Sequence, residues 1–216
     1  MKITLIVAAD LSGAIGVNNS LPWRIPSDLK RFKDYTSGKL LVCGRKTFLS
    51  LPGLLANRDM LVMSSNDNVI SEMQLRADAF KSKNPNQQLP FCGIVNSMTH
   101  FIEIYEEYFK HQEEVCVIGG SEIYELFYPY ADKILLTVVN TNVPNADTFF
   151  ERPNKEYWRN KLTIVKNVSS INDDHSYSVY ELVRKQSAAI FSIKSKEKLS
   201  VIDLIKVDNN EGILNK

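Results

Sequence analysis

One acid, Asp28, stands in the stretch SLPWRIPSDLKRFK (residues 20–33), among two prolines, a tryptophan and apolar neighbours. Pro26 suits the start of a helix, because its missing N–H falls where helical donors are unpaired anyway. One turn along, Phe32 shares a face with Asp28, and Leu29 lies beside it. Two chemistries fit this arrangement equally well. Asp28 can oppose the helix dipole while Phe32 enters the core. Alternatively, the carboxylate sits at the mouth of an aromatic and aliphatic pocket, where it accepts two parallel N–H bonds from a flat ligand with an amidine-like edge.

Two other stretches carry chemistry. Gly44-Arg45-Lys46-Thr47 follows an apolar run and opens a helix. Free N–H groups, a glycine that admits close approach and two full positive charges suit a phosphate or pyrophosphate. Taken alone, the stretch reads more simply as a strand–helix turn with a solvated basic pair. Gly119-Gly120, in CVIGGSEIYELF, repeats the strand–glycine–helix pattern and leaves room for a flat group against the backbone. Two such junctions in one sheet point to an extended ligand with more than one charged centre. The pattern is not GxGxxG, so a Rossmann site is not indicated.

These residues need a scaffold, and the apolar runs supply one. ITLIVAA (3–9), KLLVCG (39–44), DMLVMSS (59–65), FCGIVN (91–96), EVCVIGG (114–120) and KILLTVVNT (133–141) read as buried strands. LSGAIGVNNSLP (11–22) reads as a loop, with glycines and asparagines as punctuation. Helices are expected from Pro26, over RKTFLSL, over MTHFIEIYEEYFK behind a Ser97 N-cap, and over SEIYELFYPYA. The polar stretch 66–90 shows no clean period and is expected to be a loop with at most one helical turn. KLTIVKNVSS and HSYSVYELVRK, separated by INDD, read as a closing antiparallel hairpin. The fold class is therefore α/β: a mainly parallel mixed sheet with helices on both faces and an antiparallel C-terminal hairpin. Ligands of such sheets bind at the carboxyl ends of the strands, where all three stretches fall.

The 216 residues, 44% hydrophobic and 24% charged, suit one medium domain with an appendage. A net charge of +1 gives no case for a nucleic-acid partner. No apolar run reaches the ~18 residues of a membrane span. Asp10 interrupts the opening MKITLIVAAD too soon for a signal peptide. Cys43, Cys92 and Cys116 form an odd set without a CxxC pair and read as reduced thiols of a cytoplasmic protein. No metal site is expected.

The pieces AIGVNNSLPWRIPSDLKRFK, CGRKTF, NRDMLVMSS, VIGGSEIYELF, LLTVVNTNVPNADTFF and HSYSVYEL together resemble the dihydrofolate reductase family over roughly residues 2–185. The resemblance implies reduction of 7,8-dihydrofolate to 5,6,7,8-tetrahydrofolate, with hydride transfer from NADPH to pterin C6 and protonation at N5. Such an enzyme serves thymidylate and one-carbon metabolism. By resemblance, Asp28 binds the 2-amino group and N3 of the pterin, Thr137 orients it, and Trp23 holds a water nearby. Leu21 lies in a loop that closes over the nicotinamide. Ile6, Ala8, Leu29 and Phe32 line the substrate pocket, with Arg58 on the glutamate carboxylate and Leu55 as its apolar neighbour. On the cofactor side the resemblance implies Ala8, Ile15, Gly16 and Tyr124 near the nicotinamide. Gly44, Arg45, Lys46 and Thr47 would bind the phosphates. Ser65 would meet the 2′-phosphate with Arg45, and Ser64, Ile118, Gly119, Gly120, Ser121 and Glu122 would lie beside the cofactor. Antifolates such as methotrexate or trimethoprim are the implied inhibitors.

Two departures matter. Ala56-Asn57 precedes Arg58 where relatives have Pro-Gly, so the arginine can be aimed differently. Glu122 stands where some relatives place a second basic group for the 2′-phosphate. Residues 1–185 are expected to form the reductase-like domain, and 186–216 an extension that packs on that domain or is partly disordered, with a protein contact as the second reading. A pyrimidine reductase of riboflavin synthesis would not need LPWRIPSDLKRF. A purely structural use of the domain is disfavoured by the intact set of ligand-facing residues.

Overall fold

The computed structural model describes residues 1–185 except Asp67. Eight strands form one sheet: β1 (Lys2–Asp10), β3 (Leu40–Gly44), β4 (Asp59–Met63), β5 (Cys92–Val95), β6 (Glu114–Val117), β7 (Lys133–Val139), β9 (Trp158–Val168) and β10 (Tyr177–Arg184). Their order is β5-β4-β3-β6-β1-β7-β10-β9. All pairings from β5 to β7 are parallel, and β10 closes antiparallel on β7 and β9. The expected mixed sheet and closing hairpin are both present.

Period-two alternation assigns the two faces. Ile3, Leu5 and Val7 of β1 pack with Leu40, Val42, Val115 and Val117 against Phe101, Tyr105 and Phe127 on one side. These aromatics come from α4 (Met98–Ile104), the π-helical turn Tyr105–Phe109 that continues it, and α5 (Ser121–Phe127). The expected Ser97 cap is in place, its hydroxyl accepting from the His100 N–H at 3.1 Å. On the other side Leu41, Cys43, Met60, Val62 and Cys116 bury Phe48, with Phe32 and Tyr35 packed against them. The helices of this face are α1 (Pro26–Thr36), α2 (Arg45–Ser50) and α3 (Val69–Lys83).

Helix α3 corrects the expectation of a loop over 66–90. Its inner stripe is Val69, Met73, Arg76 and Phe80, and the arginine hid the period. Arg76 lies over the Phe48 ring at 4.6 Å and pairs with Glu72 at 2.6 Å. It also donates to the carbonyls of Phe48, Leu49 and Leu51 at the end of α2. A long cationic side chain thus fills an inward position with its stem and satisfies free carbonyls with its head. A second correction concerns 11–22, which is not all loop: β2 (Ala14–Gly16) pairs antiparallel with β8 (Thr148–Phe149). Three residues against two are too short to leave an alternating pattern.

Beneath the sheet one carboxylate ties elements together. Glu114 Oε1 accepts from Thr4 at 2.5 Å and Tyr35 at 2.7 Å and pairs with Lys133 at 2.9 Å, while Oε2 takes Lys39 at 2.6 Å. Burial alone would raise the Glu114 pKa, but the bonds from Lys39, Thr4, Tyr35 and Lys133 outweigh it and hold it at about 2. A depressed carboxylate pKa stabilises the fold above the unfolded value, and that stabilisation fades as pH falls toward about 2. Glu114→Gln leaves two lysines facing each other and is expected to destabilise the protein by about 2–3 kcal/mol at pH 7, with partial exposure reducing the full buried-pair penalty. In urea melts, the gap to wild type narrows as pH falls below about 4; a gap independent of pH contradicts the assignment.

Candidate active site

Strand β1 pairs with β6 only from Lys2 to Leu5, but with β7 all the way to Asp10. Past Leu5 the two strands part, and a cleft of about 1250 Å³ opens at their carboxyl ends. Ile6 and Ala8, on the far side of β1 from the aromatic core, line it. Asp28, Leu29 and Phe32 of α1 line the facing wall, so the helical spacing read from the sequence does bring them together.

Asp28 is half-buried and accepts a hydrogen bond from Thr137 Oγ1 at 2.9 Å. The register explains the meeting, since Thr137 on β7 sits directly opposite Ala8 on β1. Burial pushes the Asp28 pKa up. The Thr137 bond and the charge of Arg31 oppose this, Asp173 adds to it, and the net shift is upward. A carboxylate so placed gains from a cationic or N–H-rich partner that restores the solvation it has lost.

Both glycine junctions reach the same cleft and touch each other: the Gly44 N–H donates to the Gly119 carbonyl at 2.7 Å. The Gly119–Gly120 peptide bond is cis, and Gly119 has φ +103°. A Cβ added at Gly119 would meet the Tyr124 ring at 3.0 Å, and one at Gly44 would meet Ile123 at 3.0 Å. Tyr124 in turn donates to the Ile6 carbonyl at 2.6 Å, which joins the glycine floor to β1. Arg45, Lys46 and Thr47 line the same end, together with Ser64, Ser65, Ile118, Ser121 and Glu122. Bare backbone beside two cations and several hydroxyls fits a dinucleotide with its phosphates at this end. The single anion among them is Glu122, exposed on the rim.

Ile15, Gly16 and Leu21 line the mouth, with Leu21 57% exposed. Their loop is pinned at its base. The buried Asp10 accepts from Ser12 N–H and hydroxyl, from Ala14 N–H and from Val143 N–H, all between 2.7 and 2.8 Å. Burial would raise its pKa, but these donors keep it below the usual carboxylate range.

Three expected residues are not in the lining. Trp23 is 9% exposed and packs on Ile25, Val139, Tyr177 and Val179 behind the cleft wall. Leu55 packs among the half-buried residues around Phe48. Arg58 is buried and lines a separate pocket of about 420 Å³ with Gly38, Gln87 and Gln112. Its Nε donates to the Ala56 carbonyl at 3.1 Å and its Nη1 to Thr36 Oγ1 at 3.4 Å. The preceding Asn57 has φ +57°, so the Ala56-Asn57 turn, and not a Pro-Gly one, sets the aim of this side chain. Conversely, Arg31, Tyr35 and Val179 line the cleft without having been singled out. Arg31 was within reach of helical spacing, one turn from Asp28. Val179 depends on a pairing, with Thr137, that no local pattern gives.

Among the described residues no helix is long and apolar enough to cross a membrane. A family model described as "Dihydrofolate reductase" matches residues 2–184. A dihydrofolate reductase of Staphylococcus haemolyticus is 30% identical over 186 residues, covering 85% of this chain and 98% of the relative. One of Haemophilus influenzae is 34% identical over 162 residues, covering 73% and 84%. Among solved structures, a dihydrofolate reductase from Enterococcus faecalis complexed with NADP(H) and RAB-propyl superposes with a TM-score of 0.65 at 25% identity, over 85% of this chain and 96% of that one. With a family model matched over residues 2–184 and a 30% identical relative covered over 98% of its length, the chain belongs to the dihydrofolate reductase family.

Proposed function

We propose that the cleft divides one reaction between its two ends: a pterin seated on Asp28 and a dinucleotide seated on the glycine junctions, for reduction of 7,8-dihydrofolate to 5,6,7,8-tetrahydrofolate. The observation that carries this is a half-buried carboxylate, oriented by Thr137, in the same cavity as the contacting Gly44 and Gly119. NADPH, when bound, supplies the hydride for pterin C6. The chain's own residues do the rest. Asp28 accepts from the pterin's amino group and ring N–H, which fixes the ring's orientation and favours its protonated, cationic form. Ile6, Leu29 and Phe32 sandwich the ring system and exclude water on either side. Asp28 sits at the amino-bearing edge, away from N5, so a water and not its own proton serves that atom. Arg45 and Lys46 hold the phosphates, with Ser64 and Ser65 beside them for a 2′-phosphate. Cytoplasmic residence and inhibition by methotrexate or trimethoprim, whose diaminopyrimidine edge matches the same acid, belong to this reading.

The decisive variant is Asp28→Asn. It is expected to lower kcat/KM for dihydrofolate at least a hundredfold at pH 7, about 2.7 kcal/mol of transition-state stabilisation. The fold survives. Because the folded pKa of Asp28 is raised, its favourable contribution belongs to pH below the unfolded value and is lost as pH rises through the folded one. At neutral pH the variant therefore melts no lower than wild type. Near-normal turnover overturns the assignment.

Cofactor choice rests on Arg45 and the serines outweighing Glu122. Wild type is expected to show a lower KM for NADPH than for NADH. Arg45→Ala raises the NADPH value about tenfold, the loss of one charge-assisted contact, and moves NADH less. Equal KM values for the two cofactors overturn the preference.

The reading of residues 1–185 as the catalytic domain also has a test. The extension 186–216 lies outside the described residues. A chain ending at residue 187 is expected to keep wild-type turnover in the NADPH-oxidation assay. A change in its oligomeric state would assign the extension to a contact between copies of the chain.

A further inference from the structure

Arg31 is a cation with almost nothing to hold. It lies one turn after Asp28 on α1 and lines the same cleft. Its Nε is buried and has no hydrogen-bond partner among the described residues. It takes part in none of the ion pairs found among them. Its one bond is long, from Nη2 to the Tyr177 hydroxyl at 3.4 Å. Tyr177 is 2% exposed, so its ring cannot follow a wandering guanidinium, and its hydroxyl also meets Ser27 Oγ at 2.7 Å. Ser27 Oγ donates to Asp173 Oδ2 at 2.6 Å, and Asp173 Oδ1 takes the Ser27 N–H at 3.1 Å. A fixed string of polar groups thus runs behind Asp28 from the β9–β10 turn to the guanidinium.

The groups that act on Asp28 come from three elements. Thr137 on β7 donates to it, Arg31 on its own helix attracts it, and Asp173 from the β9–β10 turn repels it. Arg31 is the single cation in that set. Arg31 is only half-buried, but a guanidinium with a buried Nε that has no partner is costly unless its charge has an electrostatic use.

We propose that Arg31 is a positioning residue that acts through Asp28: steadied by Tyr177, it keeps the carboxylate ionised in the free cleft and so sets the lowest pH at which the pterin site binds. The proposal rests on the reading that Asp28 holds the amidine-like edge of the ligand. Without Arg31, Asp28 faces its burial and Asp173 with only the Thr137 bond in its favour. Removal of the Arg31 charge then moves the acid limb of binding upward, and removal of the Asp173 charge moves it downward.

The test uses trimethoprim, a 2,4-diaminopyrimidine, with its Kd followed by tryptophan fluorescence from pH 4.5 to 9 in the full-length protein. The probe's own titration is common to all variants and cancels in the comparison. Arg31→Met keeps the apolar stem and is expected to shift the acid limb up by about one pH unit, the usual effect of one nearby charge. That is a tenfold loss of affinity on the limb, with little change where Asp28 is fully ionised. Arg31→Lys restores most of the shift, and Asp173→Asn moves the limb the other way. A merely structural arginine weakens binding equally at all pH, and that result, or an unmoved limb in Arg31→Met, overturns the proposal. If Arg31→Met does not fold, an unmoved limb in Asp173→Asn overturns it. Asp28→Asn run alongside separates the two readings. If that variant binds trimethoprim as wild type does, the pterin assignment itself fails. If it loses both affinity and limb while Arg31→Met keeps the limb in place, the inference about Arg31 alone falls.

Discussion

The carboxylate of Glu114 gathers the lower ends of five elements whose upper ends line the cleft. Its partners are Thr4 on β1, Tyr35 at the end of α1, Lys39 just ahead of β3 and Lys133 at the start of β7, and Glu114 itself begins β6. At the opposite ends these same elements present Ile6 and Ala8, Asp28, Gly44, Thr137 and Ile118. Parallel strands leave their amino ends together, and a cluster of one anion and two cations there would be unfavourable if any member lacked a partner. Here all the members are engaged: Lys39 also lies over the Tyr35 ring at 3.5 Å, and Lys133 donates to the Tyr35 hydroxyl. The relative heights of the strands and of α1 are fixed at the base, so the spacing of acid and glycines above is not left to loops.

The cleft follows from how the strands leave that base. Side chains on the second face of β1 are Thr4, Ile6 and Ala8, which lose polarity toward the carboxyl end and finish on the smallest. Ala8 makes room there, and the parting of β6 from β1 after Leu5 turns the room into a cavity. Where β6 ends, Gly119 cannot carry a side chain without striking Tyr124, and that tyrosine is spent on the Ile6 carbonyl. Burial drives its phenol pKa upward, so the contact stays a neutral hydrogen bond through the working pH range. The glycine floor of the cleft and its β1 wall are therefore one hydrogen-bonded piece.

Sequence alone reached the sheet, the hairpin and most of the lining, because buried parallel strands are continuous apolar runs and α1 has a proline start and an i, i+4 face. It failed where the physics was not local. Helix α3 was hidden because Arg76 occupies an inward position that a hydrophobic period assigns to an apolar residue. The β2–β8 ribbon was hidden because its strands are shorter than any alternation. Trp23 is outside the lining, packed among Ile25, Val139 and Tyr177, and its expected water-holding role stays an expectation. Arg58 was doubtful from the Ala56-Asn57 pair, and the left-handed Asn57 does turn its guanidinium to Thr36. Both corrected elements depend on contacts with distant parts of the chain, α3 on α2 and β2 on β8.

The remaining tension in the cleft lies in charge. Asp28 must be buried enough to distinguish a flat, N–H-rich edge from water, and burial by itself would protonate it. One neutral hydroxyl from Thr137 orients the carboxylate but offsets only part of that cost. Asp173, needed to hold Ser27 and the start of α1, makes matters worse by lying within electrostatic reach. An unpaired cation at position 31 resolves the conflict without touching the acid, since a direct Arg31–Asp28 pair would occupy the lone pairs that the ligand needs. The long bond to Tyr177 suits that purpose, because it limits where the guanidinium can go while leaving its charge uncompensated. Phe32 takes the i+4 position and lines the cleft, and the cation at i+3 stands one step aside from it.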